Sequence, residues 1–247
     1  MKNIIIFTGA GISKDSGIST FRESDGLWEN HKIEDVATPK GFKKDPQLVW
    51  DFYKSRHDEL INIKPNAAHI AITKFQEDMK DSEYSIHVVT QNVDRLHTEA
   101  KNQNVIELHG NLYDVKCSSC DFIDHSQEYW KHIEIPKCPK CNENLRPNIV
   151  WFNEELSVSN ISPALKLANG CSHMIIVGTS CKVYPAFSIV EKCQKTFNKI
   201  YECNIKQELK GSSHYTFLEG SSSETLPKLL DSLTLELIQL KQSTYSL

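Results

Sequence analysis

Short apolar runs alternate along the chain with amphipathic stretches, and each run is bounded by polar residues. Runs of this kind are typical of buried strands in a parallel sheet, because both faces of such strands are covered. Strands that alternate with helices predict an α/β fold, built on a doubly wound parallel sheet of the Rossmann type. The predicted strands cover residues 3–7, 85–90, 105–108, 174–177, 200–203 and 216–218.

Capping residues predict where several helices begin. Asp45 followed by Pro46 marks one start, because Asp caps the first turn and Pro fits the first helical position. His69 lies in the next helix, where we expect it to cap or to pack rather than to act as a catalyst. Leucines at helical spacing over 226–240 predict a final helix capped by Ser223. Two further helices are predicted at residues 162–168 and 185–197.

The pattern changes between residues 112 and 149, which are polar and carry two C-x-x-C pairs. We interpret this stretch as an insertion into the α/β unit. The predicted Rossmann-like domain comprises residues 1–31, 76–111 and 150–247. The predicted smaller domain comprises residues 32–75, a helical module, and residues 112–149, a zinc-ribbon module.

The paired cysteines have the spacing of a four-cysteine zinc site. Seventeen residues separate Cys117-x-x-Cys120 from Cys138-x-x-Cys141. Four thiolates fill a tetrahedral centre and leave no open position, so such a zinc would hold structure and not activate water. Two disulfides or four free thiols are the alternatives. The remaining cysteines lie in apolar surroundings, where we expect buried thiols rather than disulfides: Cys171, Cys181, Cys193 and Cys203.

Composition narrows the function classes. The chain has 247 residues, of which 39% are hydrophobic, and a net charge of −4. It has no Lys/Arg-rich cluster, so we expect no electrostatic docking on nucleic acid or on a membrane. No apolar run approaches the roughly 20 residues that span a bilayer, and the N-terminus shows no signal-peptide pattern. We therefore expect a cytoplasmic protein, and a monomer.

Candidate chemistry lies at the carboxyl ends of the predicted strands, the edge where open α/β sheets bind ligands. The loop 8–13 after the first strand contains Gly9 and Gly11, which favour a nucleotide cradle at a helix N-terminus. A tight strand-to-helix turn is the alternative, since the third glycine of the dinucleotide fingerprint would fall at Lys14. Asn92 and Asp94 follow a second strand. His109 follows a third, and an imidazole with a pKa near 6.5 can act as a base.

These residues belong to longer runs that resemble the motifs of the sirtuins, the NAD-dependent protein deacylases. Residues 9–13, 16–18, 20–22 and 25–28 resemble the opening sirtuin motif. Later runs resemble the following sirtuin motifs in sirtuin order, at residues 90–97, 108–110, 145–147, 150–152, 177–180 and 183–186. The resemblance extends from Ile4 to about Leu233. Within the family it is closest to the bacterial sirtuins and their mitochondrial desuccinylase relatives, which carry a Tyr and an Arg spaced as Tyr53 and Arg56.

The resemblance implies a structural zinc, NAD as cofactor, and acylated-lysine proteins or peptides as substrates. His109, Asn92 and Asp94 would be catalytic. The substrate-binding residues would be Tyr53, Arg56, Phe152 and Val183. The cofactor-binding residues would be Gly9, Ala10, Gly11, Ser13, Phe21, Arg22, Trp28, Gln91, Asn92, Asp94, Gly178, Thr179, Ser180, Asn204 and Ser222.

The implied reaction starts when the acyl oxygen attacks the ribose carbon as nicotinamide leaves. His109 then removes a proton from a ribose hydroxyl, and water completes the release of lysine and O-acyl-ADP-ribose. Arg56 and Tyr53 would bind the carboxylate of a succinyl or malonyl group. We therefore expect desuccinylation and demalonylation, with deacetylation retained. On the residues alone, the alternative is that Tyr53 is a partly buried anchor and that Arg56 is a solvated charge.

Other activities stay open. The chain could act mainly as a deacetylase, and ADP-ribosyl transfer or lipoamidase activity could accompany deacylation. An NAD(P)-dependent oxidoreductase would need the glycine that Lys14 replaces, and a non-catalytic zinc-ribbon adaptor would not need a catalytic histidine. Four positions depart from the family pattern and concern rate or peptide preference rather than reaction class: Ser19, Glu23, Asn153 and Cys181.

Overall fold

The computed structural model describes residues 2–19, 27–28, 31–195, 199–210 and 214–244. The strands are β1 (Lys2–Thr8), β2 (Leu27–Trp28), β3 (His31–Lys32), β4 (Tyr84–Thr90), β5 (Val105–Glu107), β6 (Gly110–Cys117), β7 (Ile123–Asp124), β8 (Leu145–Ile149), β9 (Cys171–Val177), β10 (Lys199–Asn204) and β11 (Tyr215–Glu219). The α-helices are α1 (Ile33–Val36), α2 (Pro39–Lys44), α3 (Pro46–Leu60), α4 (Ala67–Asp78), α5 (Leu96–Glu99), α6 (Val158–Ala168), α7 (Phe187–Gln194) and α8 (Ser222–Thr244). Two 3-10 helices span Ala10–Ser16 and Glu128–Lys131.

A six-stranded parallel sheet with the order β11-β10-β9-β1-β4-β5 forms the larger part of the molecule. The chain builds the sheet outward from β1 through β4 and β5, then returns to the other side of β1 with β9. The strand order therefore reverses between β1 and β9, which is the topological switch point of a doubly wound sheet. This arrangement confirms the predicted fold class.

The sheet is covered on both faces, as its apolar strands predict. In β1, Ile4 and Ile6 face a core cluster that includes residues of α4 and α8. Ile5 and Phe7 face the opposite cluster, which includes residues of α6 and α7. All four side chains are fully buried. Fully burying an aliphatic or aromatic side chain contributes about 1.5–3 kcal/mol, so β1 anchors both layers.

A third core cluster unites α3 with a small antiparallel sheet of order β7-β6-β8. Trp130 stacks on Trp50 with ring centroids 4.7 Å apart, which joins the loop before β8 to α3. Tyr53 and Trp151 belong to the same cluster. Residues of both predicted modules thus share one core, while the exact domain boundaries stay a prediction.

Local capping explains where the helices begin. Asp45 Oδ1 accepts a hydrogen bond from Leu48 N at 3.0 Å, which confirms Asp45 as the cap of α3. His69 Nδ1 accepts from Asn66 N at 3.4 Å as part of a capping box, so its expected capping role is confirmed. The prediction for Ser223 is wrong, because α8 already begins at Ser222. The Ser223 hydroxyl is buried with no hydrogen-bond partner in the described part of the chain.

Two of the four scattered cysteines lie side by side. The structure pairs Cys171 in β9 with Cys193 in α7, where the sequence predicts separate buried thiols. The physical reason is that α7 packs on β9 and brings the two side chains together. Cys181 and Cys203 are buried and are not part of a disulfide, as expected. No helix in the described residues combines the length and apolar character that a bilayer crossing requires.

Candidate active site

Two glycine-containing loops meet at the switch point of the sheet. A Cβ at Gly11 would lie 2.6 Å from Gly178 Cα, and a Cβ at Gly9 would lie 2.7 Å from Thr179 Cβ. Gly178 has a φ of +57°, and its Cβ would lie 2.4 Å from Ile12 N. Only glycine permits this approach and this conformation. The loops after β1 and β9 are therefore held together at the carboxyl edge of the sheet.

The amide groups of these glycines are used within the protein. Gly9 N donates to Val177 O at 3.0 Å, and Gly11 N donates to Gly178 O at 2.8 Å. Both amide hydrogens are therefore accepted within the protein, by the last residue of β9 and by the first residue after it. The segment Ala10–Ser16 is also a 3-10 helix rather than an α-helix. That Gly9, Ala10 and Gly11 bind NAD stays a prediction.

A buried polar cluster joins the loop after β1 to the loop after β4. The Ser13 hydroxyl donates to Asp94 Oδ2 at 2.6 Å, and Asn92 Nδ2 donates to Ser13 Oγ at 3.1 Å. Leu96 N donates to Asp94 Oδ1 at 3.0 Å, so both carboxylate oxygens are bonded. Ser13 is fully buried and Asp94 is nearly so. The cluster orients the predicted catalytic residues Asn92 and Asp94 next to the predicted cofactor residue Ser13.

His109 follows β5, next to the end of β4. Its Nδ1 lies 2.9 Å from Gln91 O. A carbonyl oxygen can only accept, so Nδ1 carries the proton and Nε2 keeps a free lone pair. Burial lowers the pKa of His109, against the opposing effect of the Gln91 carbonyl, so the neutral imidazole predominates near neutral pH. This tautomer is the one that a general base acting through Nε2 requires.

Thr179 links three of the loops. Gln91 Nε2 donates to Thr179 Oγ1 at 3.1 Å, and Asn204 Nδ2 donates to Thr179 O at 2.8 Å. Ser180 follows Thr179 in the same loop and is half-buried. Ser222 is buried at the start of α8, two residues after Gly220, whose N–H donates to Asn204 O at 3.1 Å. Predicted cofactor residues from four loops are thus connected along one edge of the sheet.

Tyr53 and Arg56 lie one turn apart on α3, and Tyr53 belongs to the third core cluster. Tyr53 is fully buried, and its hydroxyl has no hydrogen-bond partner among the described residues. Arg56 is only 18% exposed and donates Nη2 to Glu59 Oε1 at 2.8 Å. The alternative of a partly buried Tyr53 and a solvated Arg56 is therefore wrong, because Tyr53 is fully buried and the Arg56 side chain is mostly buried. A buried donor without a partner lowers stability. That Tyr53 and Arg56 bind substrate stays a prediction.

The remaining predicted residues occupy several places. Phe152 and Val183 are about 40% exposed, at 41% and 40%, as the rim of a channel would be. Trp28 contacts Phe52 and Tyr53, with ring centroids 4.9 and 5.8 Å apart, so it packs on α3. Phe21 and Arg22, and with them Glu23, lie outside the described residues.

The four cysteines of the insertion converge on one point. The Sγ atoms of Cys117, Cys120, Cys138 and Cys141 all lie within 4.8 Å of one another. The separations of 3.4 Å for Cys117–Cys141 and 3.6 Å for Cys120–Cys138 resemble the edges of a tetrahedron with about 2.3 Å metal–sulfur bonds. This geometry fits the predicted structural zinc, held at one end of the small antiparallel sheet.

Sequence reasoning missed Arg146 and the side chain of Trp151. Both appeared only inside motifs, with no periodicity or spacing to mark them. In the structure the Arg146 guanidinium lies 3.8 Å from the centroid of the Trp151 ring, and Arg146 Nη2 donates to Glu154 Oε2 at 2.8 Å. The Trp151 ring in turn lies over Tyr53, with centroids 6.3 Å apart. Only the tertiary fold reveals this contact with α3.

Comparisons with known proteins identify the family. Residues 9–185 match the Sir2 family. The chain is 43% identical over 234 residues to an NAD-dependent protein deacylase of Pyrococcus furiosus, covering 93% of this chain and 92% of that protein. A Sir2 homologue in complex with NAD is 34% identical with a TM-score of 0.79, covering 97% of this chain and 90% of that one. A Sir2 protein with a p53 peptide and NAD+ is 29% identical with a TM-score of 0.76, covering 94% and 92%.

The matches to the deacylase and to the two solved structures extend over 93–97% of the chain. The four-cysteine cluster and the nucleotide site both fit the cofactors that the sequence predicts, zinc and NAD. The chain belongs to the Sir2 family.

Proposed function

We propose that this protein removes succinyl and malonyl groups from protein lysines in an NAD-dependent reaction, and that it retains deacetylation. The family match and the relatives' deacylase activity support the reaction class. The acyl preference depends on one observation, the buried Tyr53 hydroxyl without a partner, one helical turn from Arg56. A succinyl or malonyl carboxylate would accept hydrogen bonds from both side chains.

Bound NAD supplies an electrophilic ribose carbon and a nicotinamide leaving group. His109 accepts a proton at Nε2, since its Nδ1–H is held by the Gln91 carbonyl. Asp94 stays fixed by the Ser13 hydroxyl and the Leu96 amide, and Asn92 is tied to the same hydroxyl. These bonds place an amide and a carboxylate at the sheet edge without the reorganisation that mobile side chains would require.

The substrate side of the site combines an apolar rim with a polar end. Phe152 and Val183 would flank the alkyl stem of the modified lysine, which needs apolar surroundings. Tyr53 and Arg56 would receive the acyl terminus at the polar end. The Sir2 complex with a p53 peptide supports a peptide or protein as the acyl carrier.

Mass spectrometry of matched succinyl-, malonyl- and acetyl-lysine peptides, with and without NAD, tests this proposal. We expect NAD-dependent release of each acyl group, fastest for the dicarboxylic ones, and O-acyl-ADP-ribose as product. His109→Tyr removes the proposed base and should abolish turnover of all three peptides. NAD-independent turnover, or acetyl release far faster than succinyl release, would refute the respective part of the proposal.

One observation favours a second candidate, a mainly deacetylating enzyme. Glu59 Oε1 already accepts from Arg56 Nη2, so a carboxylate of the protein competes with that of the substrate. The Glu59 side chain is 59% exposed and can turn toward water at little cost. Glu59→Gln should therefore raise the succinyl-to-acetyl ratio of kcat/KM if the competition matters. An unchanged ratio would remove the argument for this candidate.

A further inference from the structure

A second buried donor without a partner lies beside Tyr53. Trp151 is 3% exposed, and its indole Nε1 has no hydrogen-bond partner among the described residues. Its ring lies over the Tyr53 ring, with an interplanar angle of 26°. Buried indole N–H groups normally find an acceptor. Two buried donors without a partner thus lie on neighbouring residues of the third core cluster.

Each group has one hydrogen to donate, so one acceptor could satisfy both, although the Tyr53 hydroxyl oxygen can also accept. Burial raises the pKa of the Tyr53 hydroxyl, and the nearby indole N–H opposes that rise, so the hydroxyl keeps its proton. The indole N–H and the hydroxyl are close, but they form no hydrogen bond of normal geometry. An indole N–H can only donate. A neutral hydrocarbon would leave both donors unsatisfied, whereas a carboxylate offers two oxygens to them.

A partly buried ion pair holds Trp151, with Glu154 on its backbone and Arg146 on its ring. Glu154 Oε2 accepts from both Trp151 N, at 2.9 Å, and Arg146 Nη2, at 2.8 Å. Arg146 also donates to Ile149 O at 3.3 Å, and its guanidinium lies 3.8 Å from the indole centroid. A cation over the ring face draws on the π electrons of the indole and strengthens its N–H as a donor. The ion pair therefore fixes and activates the group.

We propose that the indole N–H of Trp151 is a third hydrogen-bond donor to the terminal carboxylate of the acyl group, alongside Tyr53 and Arg56. This inference rests on the proposed preference for succinyl and malonyl groups and adds a specificity-determining residue to it. Arg146 and Glu154 are positioning residues, since they act through the indole ring.

The test compares kcat/KM for succinyl- and acetyl-lysine peptides in Trp151→Phe. Loss of a hydrogen bond to a charged group corresponds to about 10-fold or more in rate. We expect the succinyl-to-acetyl ratio to fall by about 10-fold. Trp50→Phe is the matched control, because Trp50 belongs to the same core cluster but already donates Nε1 to His132 O at 3.2 Å. Its ratio should not change.

A second variant separates the donor from the ring. Replacement of Trp151 by benzothienylalanine, which exchanges the N–H for sulfur at nearly constant shape, should lower the ratio as Trp151→Phe does. An unchanged ratio in the isostere overturns the inference. Arg56→Met distinguishes this failure from failure of the proposed function. If Arg56→Met lowers the ratio and the isostere does not, only the role of Trp151 is wrong; if neither does, the carboxylate preference itself is wrong.

Discussion

Removing the Tyr53 hydroxyl should stabilise the protein and impair its function at the same time. The hydroxyl is fully buried without a partner in the described structure. An unsatisfied buried polar group costs about 1–3 kcal/mol, and Tyr53→Phe removes that cost while the ring packing stays. For a chain of this size, each kcal/mol corresponds to a shift of about 2–4 °C in Tm. We therefore expect a higher Tm and a higher free energy of unfolding in urea for the ligand-free variant.

The same substitution should lower kcat/KM for a succinyl peptide by about 10-fold, because a donor to a charged carboxylate is lost. Tyr215→Phe is the matched control, since Tyr215 OH donates to the buried Glu202 Oε2 at 2.6 Å. That variant should be destabilised by about 1.5–3 kcal/mol. If Tyr53→Phe destabilises the protein as Tyr215→Phe does, the Tyr53 hydroxyl has a partner within the protein, and the argument for a carboxylate site fails.

Further expectations concern pH and zinc. Because burial lowers the pKa of His109, its neutral form persists below pH 6.5, the ordinary pKa of histidine. The acid limb of the pH profile of kcat/KM should therefore have its midpoint below pH 6.5. A midpoint above pH 6.5 would contradict the assignment of His109 as the base. Burial also lowers the pKa of His69, to about 3. Between about pH 6.5 and pH 3 the imidazole is therefore protonated in the unfolded chain but neutral in the folded protein. The free energy of unfolding should fall as the pH falls through this range, by up to about 1.4 kcal/mol per pH unit. His69→Gln should flatten that slope in urea titrations, and an equally steep slope would assign it to other groups. Removing zinc with a chelator, or Cys141→Ser, should unfold the small antiparallel sheet, as seen by metal analysis and increased tryptophan exposure; an unchanged spectrum of the metal-free protein would contradict a structural role.

Much of the fold follows from local patterns along the chain. The six predicted strands are confirmed to within a few residues, because an apolar run in a doubly covered sheet leaves few alternatives. Asp45 and the capping role of His69 were predicted from residue type, since caps act within one turn of helix. The cysteine spacing predicted the geometry of the metal cluster, because each C-x-x-C pair is itself a local motif.

Local patterns do not show contacts between distant parts of the chain. The sequence places Gly9 and Gly11 in a candidate nucleotide loop, but it does not show that Val177 O and Gly178 O accept their amide hydrogens. The pairing of Cys171 with Cys193 depends on how α7 packs on β9, which no spacing indicates. Such contacts join residues distant in sequence and therefore leave no periodic trace.

The sequence by itself determined the sheet, the family resemblance and the types of residue at the carboxyl edge, because these depend on patterns spanning a few residues. Only the tertiary structure decided which polar atoms have a hydrogen-bond partner within the protein and which do not. In the folded protein, His109 Nδ1 donates a hydrogen bond to the Gln91 carbonyl oxygen. The Tyr53 ring is buried next to the Trp151 ring. Hydrogen-bond satisfaction in a packed interior is a property of all neighbours at once, so it becomes visible only when the chain is folded.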